Sequence, residues 1–325
     1  MPRQAVLAGR CIRRSVCYTI GRPYSKEIAI DSHAHHLLFV GLAVLAFGAC
    51  RAAREPHANP GPWAGRYDGV AKLGPAPILT AKPEQAWRWR DAADNPYSEA
   101  FRKHFTYEGA EVEVRFPKRG ETFRCAIRAR KLKPNFAYQV KLVGMPPSVW
   151  PEKGDVATNR RLGEVGRWWR RGPDGGNAYV WDDEDKDEME AYLLFGYFVT
   201  DADGSADAEL TLDSSYHVLW KVSQWPAAEV DSKPTSHQIV AKARSYGYDQ
   251  DFPTATIELY AEAQYGRPAK GTVRLSPGRY QCFLLLTEES FHAWGDDGGD
   301  WAAALAAPIE FTIAEAPAPE GKEGE

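Results

Sequence analysis

The sequence predicts an all-β fold, an antiparallel β-sandwich with long loop insertions. Three observations predict it. Roughly ten short runs alternate apolar and polar residues with period two, the mark of strands with one buried and one solvated face. Turn residues separate the runs, with 28 glycines and 23 prolines spread along the chain. Long stretches of helical periodicity are missing, while 44% hydrophobic residues suffice for a core and exclude whole-chain disorder.

The elements follow in order. Residues 37–49 (LLFVGLAVLAFGA) are apolar or small and run into Cys50. A run this short fits a secretory hydrophobic segment better than a membrane span, which needs about 18 residues or more. Residues 1–49 are therefore read as a leader. Residues 50–105 are rich in Pro, Ala, Trp and Arg and are expected to form a tether and an irregular segment, with a short helix within 81–104. Strands are expected at 111–116 (EVEVRF), 122–132 (TFRCAIRARKL) and 136–143 (FAYQVKLV). A long insertion at 144–190 holds the cluster Arg167, Trp168, Trp169, Arg170 and Arg171, then Trp181, then DDEDKDEME at 182–190 with seven acidic residues in nine. Charges of one sign at that density repel, so a solvated loop is expected. Further strands are expected at 192–200, 206–212, 216–222, 237–246, 255–265, 271–275, 279–287 and 308–313. Asp203-Gly204 marks a hairpin turn, since Asp-Gly suits positive φ. The domain thus spans 106–313, and 314–325 is a polar tail.

Two resemblances refine this reading. Phe47-Gly48-Ala49-Cys50 resembles the lipobox of bacterial lipoproteins, with Phe47 where an aliphatic residue is usual. It implies export, lipidation at Cys50 and a membrane anchor in the cell envelope, facing the periplasm or the exterior. Leu275-Ser276-Pro277-Gly278-Arg279-Tyr280-Gln281-Cys282 resembles the tyrosine corner that opens strand F of immunoglobulin-like domains. FVTDADG at 198–204 and SSYHVLW at 214–220 are similar to exported bacterial and archaeal proteins of no assigned activity. Once a leader is removed and Cys50 lipidated, Cys125 and Cys282 remain, either a disulfide or two buried thiols. The immunoglobulin resemblance favours the disulfide, with Cys125 on strand B.

The chemistry expected is binding rather than catalysis. The first 49 residues carry six basic and two acidic residues and the remaining 276 carry 34 and 42, a balance that gives no support to nucleic-acid binding. No G-x-S-x-G, HExxH, P-loop or dinucleotide-binding glycine pattern is present, so no cofactor is expected. Asp31-Ser32-His33-Ala34-His35 resembles the first metal motif of amidohydrolases, but no later metal motif or strand–helix alternation accompanies it. Trp168, Trp169, Arg170 and Trp181 are the candidate binding residues, since planar aromatics beside cations suit sugars or anionic polymers. Asp201, Asp203 and Asp207 around one turn are candidate calcium ligands. The expected function is a non-catalytic envelope lipoprotein that meets an envelope protein or glycan through loops 144–190 and 288–302. The alternative is a glycan hydrolase using paired carboxylates in its acidic loops.

Overall fold

The alternating runs pair as their registers demand. The computed structural model describes residues 67–76, 86–169, 186–220, 235–263, 273–289 and 301–315, all within the unit 58–325. Among them are thirteen strands: β1 Gly69–Pro75, β2 Glu111–Phe116, β3 Arg119–Gly120, β4 Arg124–Arg130, β5 Ala137–Gly144, β6 Arg167–Trp169, β7 Glu190–Val199, β8 Ala206–Thr211, β9 Tyr216–Trp220, β10 Thr235–Ile239, β11 Ala255–Ala263, β12 Gly278–Glu289 and β13 Trp301–Ile313. Two α-helices accompany them, α1 Glu99–His104 and α2 Val156–Val165. Ser98 caps α1 by accepting from Phe101 N, and Asp155 caps α2 by accepting from Ala157 N.

The protein is all-β in its framework. Its strands do not divide into the two separate sheets expected of an immunoglobulin-like sandwich. One hydrogen-bonded path runs β6-β7-β5-β12-β13-β1-β2-β4-β8, with β3 parallel to β13, and a second sheet runs β10-β11-β9. The reason is β1, which lies in the segment read as tether. It pairs antiparallel with both β2 and β13 and so joins the two halves.

The large sheet curls until its ends meet. A Cβ on Gly196 of β7 would lie 2.7 Å from Leu210 of β8, at the far end of the strand order. Phe123, just before β4, packs edge-on to Phe195 of β7 and against Phe311 of β13, with ring centroids 5.5 and 4.6 Å away. The concave face encloses the main core, which includes Val114, Ile127, Tyr138, Leu142, Leu284 and Phe311. On the opposite face Val143, Tyr192, Leu194, Phe283 and Leu285 form a second cluster beneath Trp150, Trp169 and Trp301. The small sheet adds Ile239, Ile257 and Leu259 to a third, with Ala92, Ala137, Tyr197 and Val199. Every residue of β5 is buried, so polar groups on and beside it must find partners inside the protein.

Three sequence expectations change here. The insertion at 144–190 contains α2 and β6, which pack on the sheet. Residues 240–246 and 273–275 carry no strand, and β13 begins at Trp301, seven residues earlier than expected. Cys125 on β4 and Cys282 on β12 are two free, buried thiols rather than a disulfide. The tyrosine corner itself forms: Tyr280 donates its hydroxyl to Ser276 O at 2.7 Å and stacks on Phe311 with centroids 5.0 Å apart.

Candidate functional site

The polar residues of the buried strands fall into two ion clusters, one on each face of the sheet. β12 ends in Thr287-Glu288-Glu289, all buried, and period-two alternation sends Glu288 to the concave face and Glu289 to the other. Glu288 accepts from Arg88 Nε at 2.6 Å and Nη2 at 3.2 Å, and from Tyr107 Oη at 2.5 Å. Lys133 Nζ lies 2.8 Å from the same carboxylate, donates to Arg88 O, and sits 4.5 Å from the centre of the Trp89 ring. Tyr107 and Tyr138 share a 3.0 Å hydrogen bond, and Tyr138 Oη accepts from Lys133 N. On the other face Lys141 Nζ pairs with Glu289 at 2.8 Å and lies 4.3 Å from the Trp301 ring centre, while Thr287 donates to Glu289.

Burial sets the protonation of these groups. It pushes Lys133 down to about 8 despite the pull of Glu288, with Arg88 adding to the push. It does the same to Lys141, down to about 8, where Glu289 opposes and Arg167 assists. For Glu288 burial acts upward, yet Lys133 and Arg88 hold the carboxyl below its usual range. Burial raises the thiols of Cys125 and Cys282 and the phenols of Tyr107 and Tyr138. The consequence for stability has a definite sign. Between about 8 and 10.5 the unfolded chain binds more lysine protons than the folded one, so stability rises with pH. The thiols and phenols act oppositely: their contribution is complete below their ordinary values of 9.0 and 10.0 and is lost above them. The melting temperature should therefore climb from pH 8 to 9 and fall beyond pH 10. Thermal melts followed by circular dichroism from pH 7 to 11 check this, and a steady decline through pH 8–9 would contradict it.

Neither cluster is open to a ligand, since Glu288 and Lys141 are fully buried and Lys133 nearly so. Above the concave-face cluster, however, an open cleft of about 440 Å³ is lined by His104, Phe105, Thr106, Gly109, Lys131, Asp203 and Tyr246. Phe105 links the two, packing edge-on to Tyr107 on one side and facing the cleft on the other. The walls come from distant parts of the chain and are fixed by hydrogen bonds behind them. Leu132 N donates to Gly204 O, and Asn135 N donates to Asp201 O, which ties the Lys131 segment to the Asp203 turn. Ser98 N donates to Gly247 O, which ties the Tyr246 loop to α1. Asn135 Nδ2 donates to Val240 O and to Tyr248 Oη, and Tyr248 donates to the buried Asp91. Gly247, at φ +94°, has no room for a side chain, since a Cβ would lie 2.9 Å from Pro134. Hydrogen bonds between distant segments thus join the walls of the cleft.

The residues singled out from sequence fall elsewhere, apart from Asp203. Trp168 packs against the main core and Trp169 lies 5.8 Å from Trp301, ring centre to ring centre. Both stand on β6 as packing residues. Arg170, Trp181 and the leader with Cys50 and the Asp31–His35 motif lie outside the described residues. The three aspartates do not converge as a metal site. Asp201 accepts from Asp203 N and Ser205 N to close the turn, and Asp207 pairs with Arg128 and Arg130 across to β4. Among the described residues no group of three or more His, Cys, Asp or Glu could hold a metal ion. Among them, too, no helix is long and apolar enough to cross a membrane. Sequence reasoning missed the cleft because its lining spans residues 104 to 246 and no short motif marks it. No family model, curated protein or solved structure matches this chain.

Proposed function

We propose that this chain is a non-catalytic, lipid-anchored protein of the bacterial cell envelope whose β domain binds a ligand in the cleft beside Tyr246. One observation carries the reading. The two ion clusters are sealed inside, where Arg88 and Lys133 neutralise Glu288 and Lys141 neutralises Glu289, whereas the cleft gathers aromatic, cationic and hydrogen-bonding side chains on a hydrogen-bonded frame. Among the described residues Asp203 is the only carboxylate lining the cleft, and canonical glycoside hydrolysis uses two. The formed corner at Tyr280 supports an immunoglobulin-like ancestry for the domain, and Cys50 with its apolar run supports the anchor.

Placing a photo-crosslinking amino acid at position 246 in living cells tests the binding role. Val70, the other large exposed hydrophobic side chain among the described residues, serves as control. A discrete envelope adduct from position 246 and none from position 70 is the expected result. Equal or absent labelling at both positions would remove the cleft from the account. Intact mass of the protein from its native membrane tests the anchor: a chain beginning at Cys50 with acyl groups is expected, and an unlipidated chain retaining residues 1–49 would refute it.

A further inference from the structure

Among the described residues three non-glycines adopt the left-handed backbone region: Asp94, Lys131 and Asn135, at φ 65°, 60° and 52°. Asp and Asn tolerate it, and here Asn135 is held inside the protein while Asp94 is engaged in a part-exposed pair with Arg90. Asn135 donates to Val240 O and Tyr248 Oη, and Asp94 accepts from Arg90 at 2.7 Å. Lys131 is different. It is a residue type that rarely occupies this region, and among the described residues its ammonium pairs only with Glu111, where both side chains are 62% exposed. An ion pair so open to water offsets little strain. Glycine would adopt this backbone freely. What the lysine adds is a cation at the rim of the cleft, where strain kept for function accumulates.

The rest of the lining defines what that cation meets. Tyr246 is 42% exposed and its ring is fixed edge-to-face against Phe101, with centroids 5.0 Å apart. It therefore offers an aromatic surface at low entropic cost. Asp203 supplies an acceptor and Thr106 a hydroxyl, and His104 stands beside them. Resting on the reading of the cleft as the binding surface, we infer that it takes an acidic saccharide unit. The sugar ring lies on Tyr246, its hydroxyls donate to Asp203 and meet Thr106, and its carboxylate takes the place of Glu111 as the partner of Lys131. The volume accommodates one or two rings, and the open mouth admits a unit within a longer chain.

Isothermal titration with trigalacturonic acid, maltotriose and triglutamate, at low salt, tests the inference. Trigalacturonic acid should bind at least tenfold more tightly than the other two. Lys131→Gly should lose that tenfold advantage while its melting temperature holds or rises, because the strain is relieved. Lys131→Arg should retain it, and Tyr246→Ala should weaken both sugars. No binding of trigalacturonic acid, equal binding of maltotriose, tighter binding of triglutamate, or full affinity in Lys131→Gly would each overturn the inference. The crosslink from position 246 separates the two failures: an adduct without sugar binding leaves the cleft a binding site for another ligand.

Discussion

Glu288→Gln should lower the stability of the protein by about 3–5 kcal/mol, the loss typical when one partner of a buried ion pair is removed. The carboxylate faces two cations, Arg88 and Lys133, at 2.6 and 2.8 Å, and none of its side chain is exposed. Glutamine leaves both cations without a counter-charge and cannot reproduce the fork to Arg88. At about 2–4 °C per kcal/mol for a domain of this size, the melting temperature should drop by about 6 °C or more. Lys133→Met should cost much less. It leaves Arg88 and Glu288 as a neutral pair, and it removes an amine that burial has already pushed down to about 8. Thermal melts of the two variants side by side give the ordering. If Lys133→Met proved the more damaging, the carboxylate would not be the centre of the cluster.

Trp168→Ala should be the next most damaging change, and it should act on folding rather than on binding. Trp168 packs on Gly163 of α2 so closely that a Cβ there would lie 2.3 Å from the indole ring. The glycine thus makes the seat and the tryptophan fills it, which fastens β6 and α2 to the main core. Because Trp168 is only partly buried, the cost should fall toward the lower end of the about 3–5 kcal/mol seen for aromatic-to-alanine changes. Gly163→Ala should destabilise by displacing the same ring. Affinity for a ligand in the cleft should stay unchanged in both variants. A Trp168→Ala protein with an unaltered melting temperature and abolished ligand binding would restore the tryptophan to a recognition role.

These residues also show where the sequence could be read and where it could not. Strands β2 and β8 were legible because one face meets water and the alternation is clean, and β4 because its arginines alternate with apolar residues apart from the buried Ala126. β12 was legible from apolar content, and β5 from an alternation whose expected solvated face is in fact buried. Their Lys141, Glu288 and Glu289 were not, because a charge reads as solvent-facing until its partner, far away in sequence, is known. β1 was hidden by the Gly and Pro around it, and with it the single sheet. The Arg-Trp-Trp run was conspicuous for its composition, yet its place on β6 makes its tryptophans packing residues. A sharper signal for the cleft was not available, since Lys131 differs from other surface lysines only in its backbone angle.

The order in which the strands are made has a consequence for how the chain reaches its native state. β12 and β13 are the last described strands in the chain, yet they stand at the middle of the large sheet, between β5 and β1. As the polypeptide leaves the ribosome, β1, β2 and β4 can form a meander, but β5 and β7 have no hydrogen-bonded link to it until β12 and β13 emerge. The large sheet is therefore completed only once β12 and β13 are made, and it closes through contacts between strands far apart in sequence, a slow route that leaves strand edges open meanwhile.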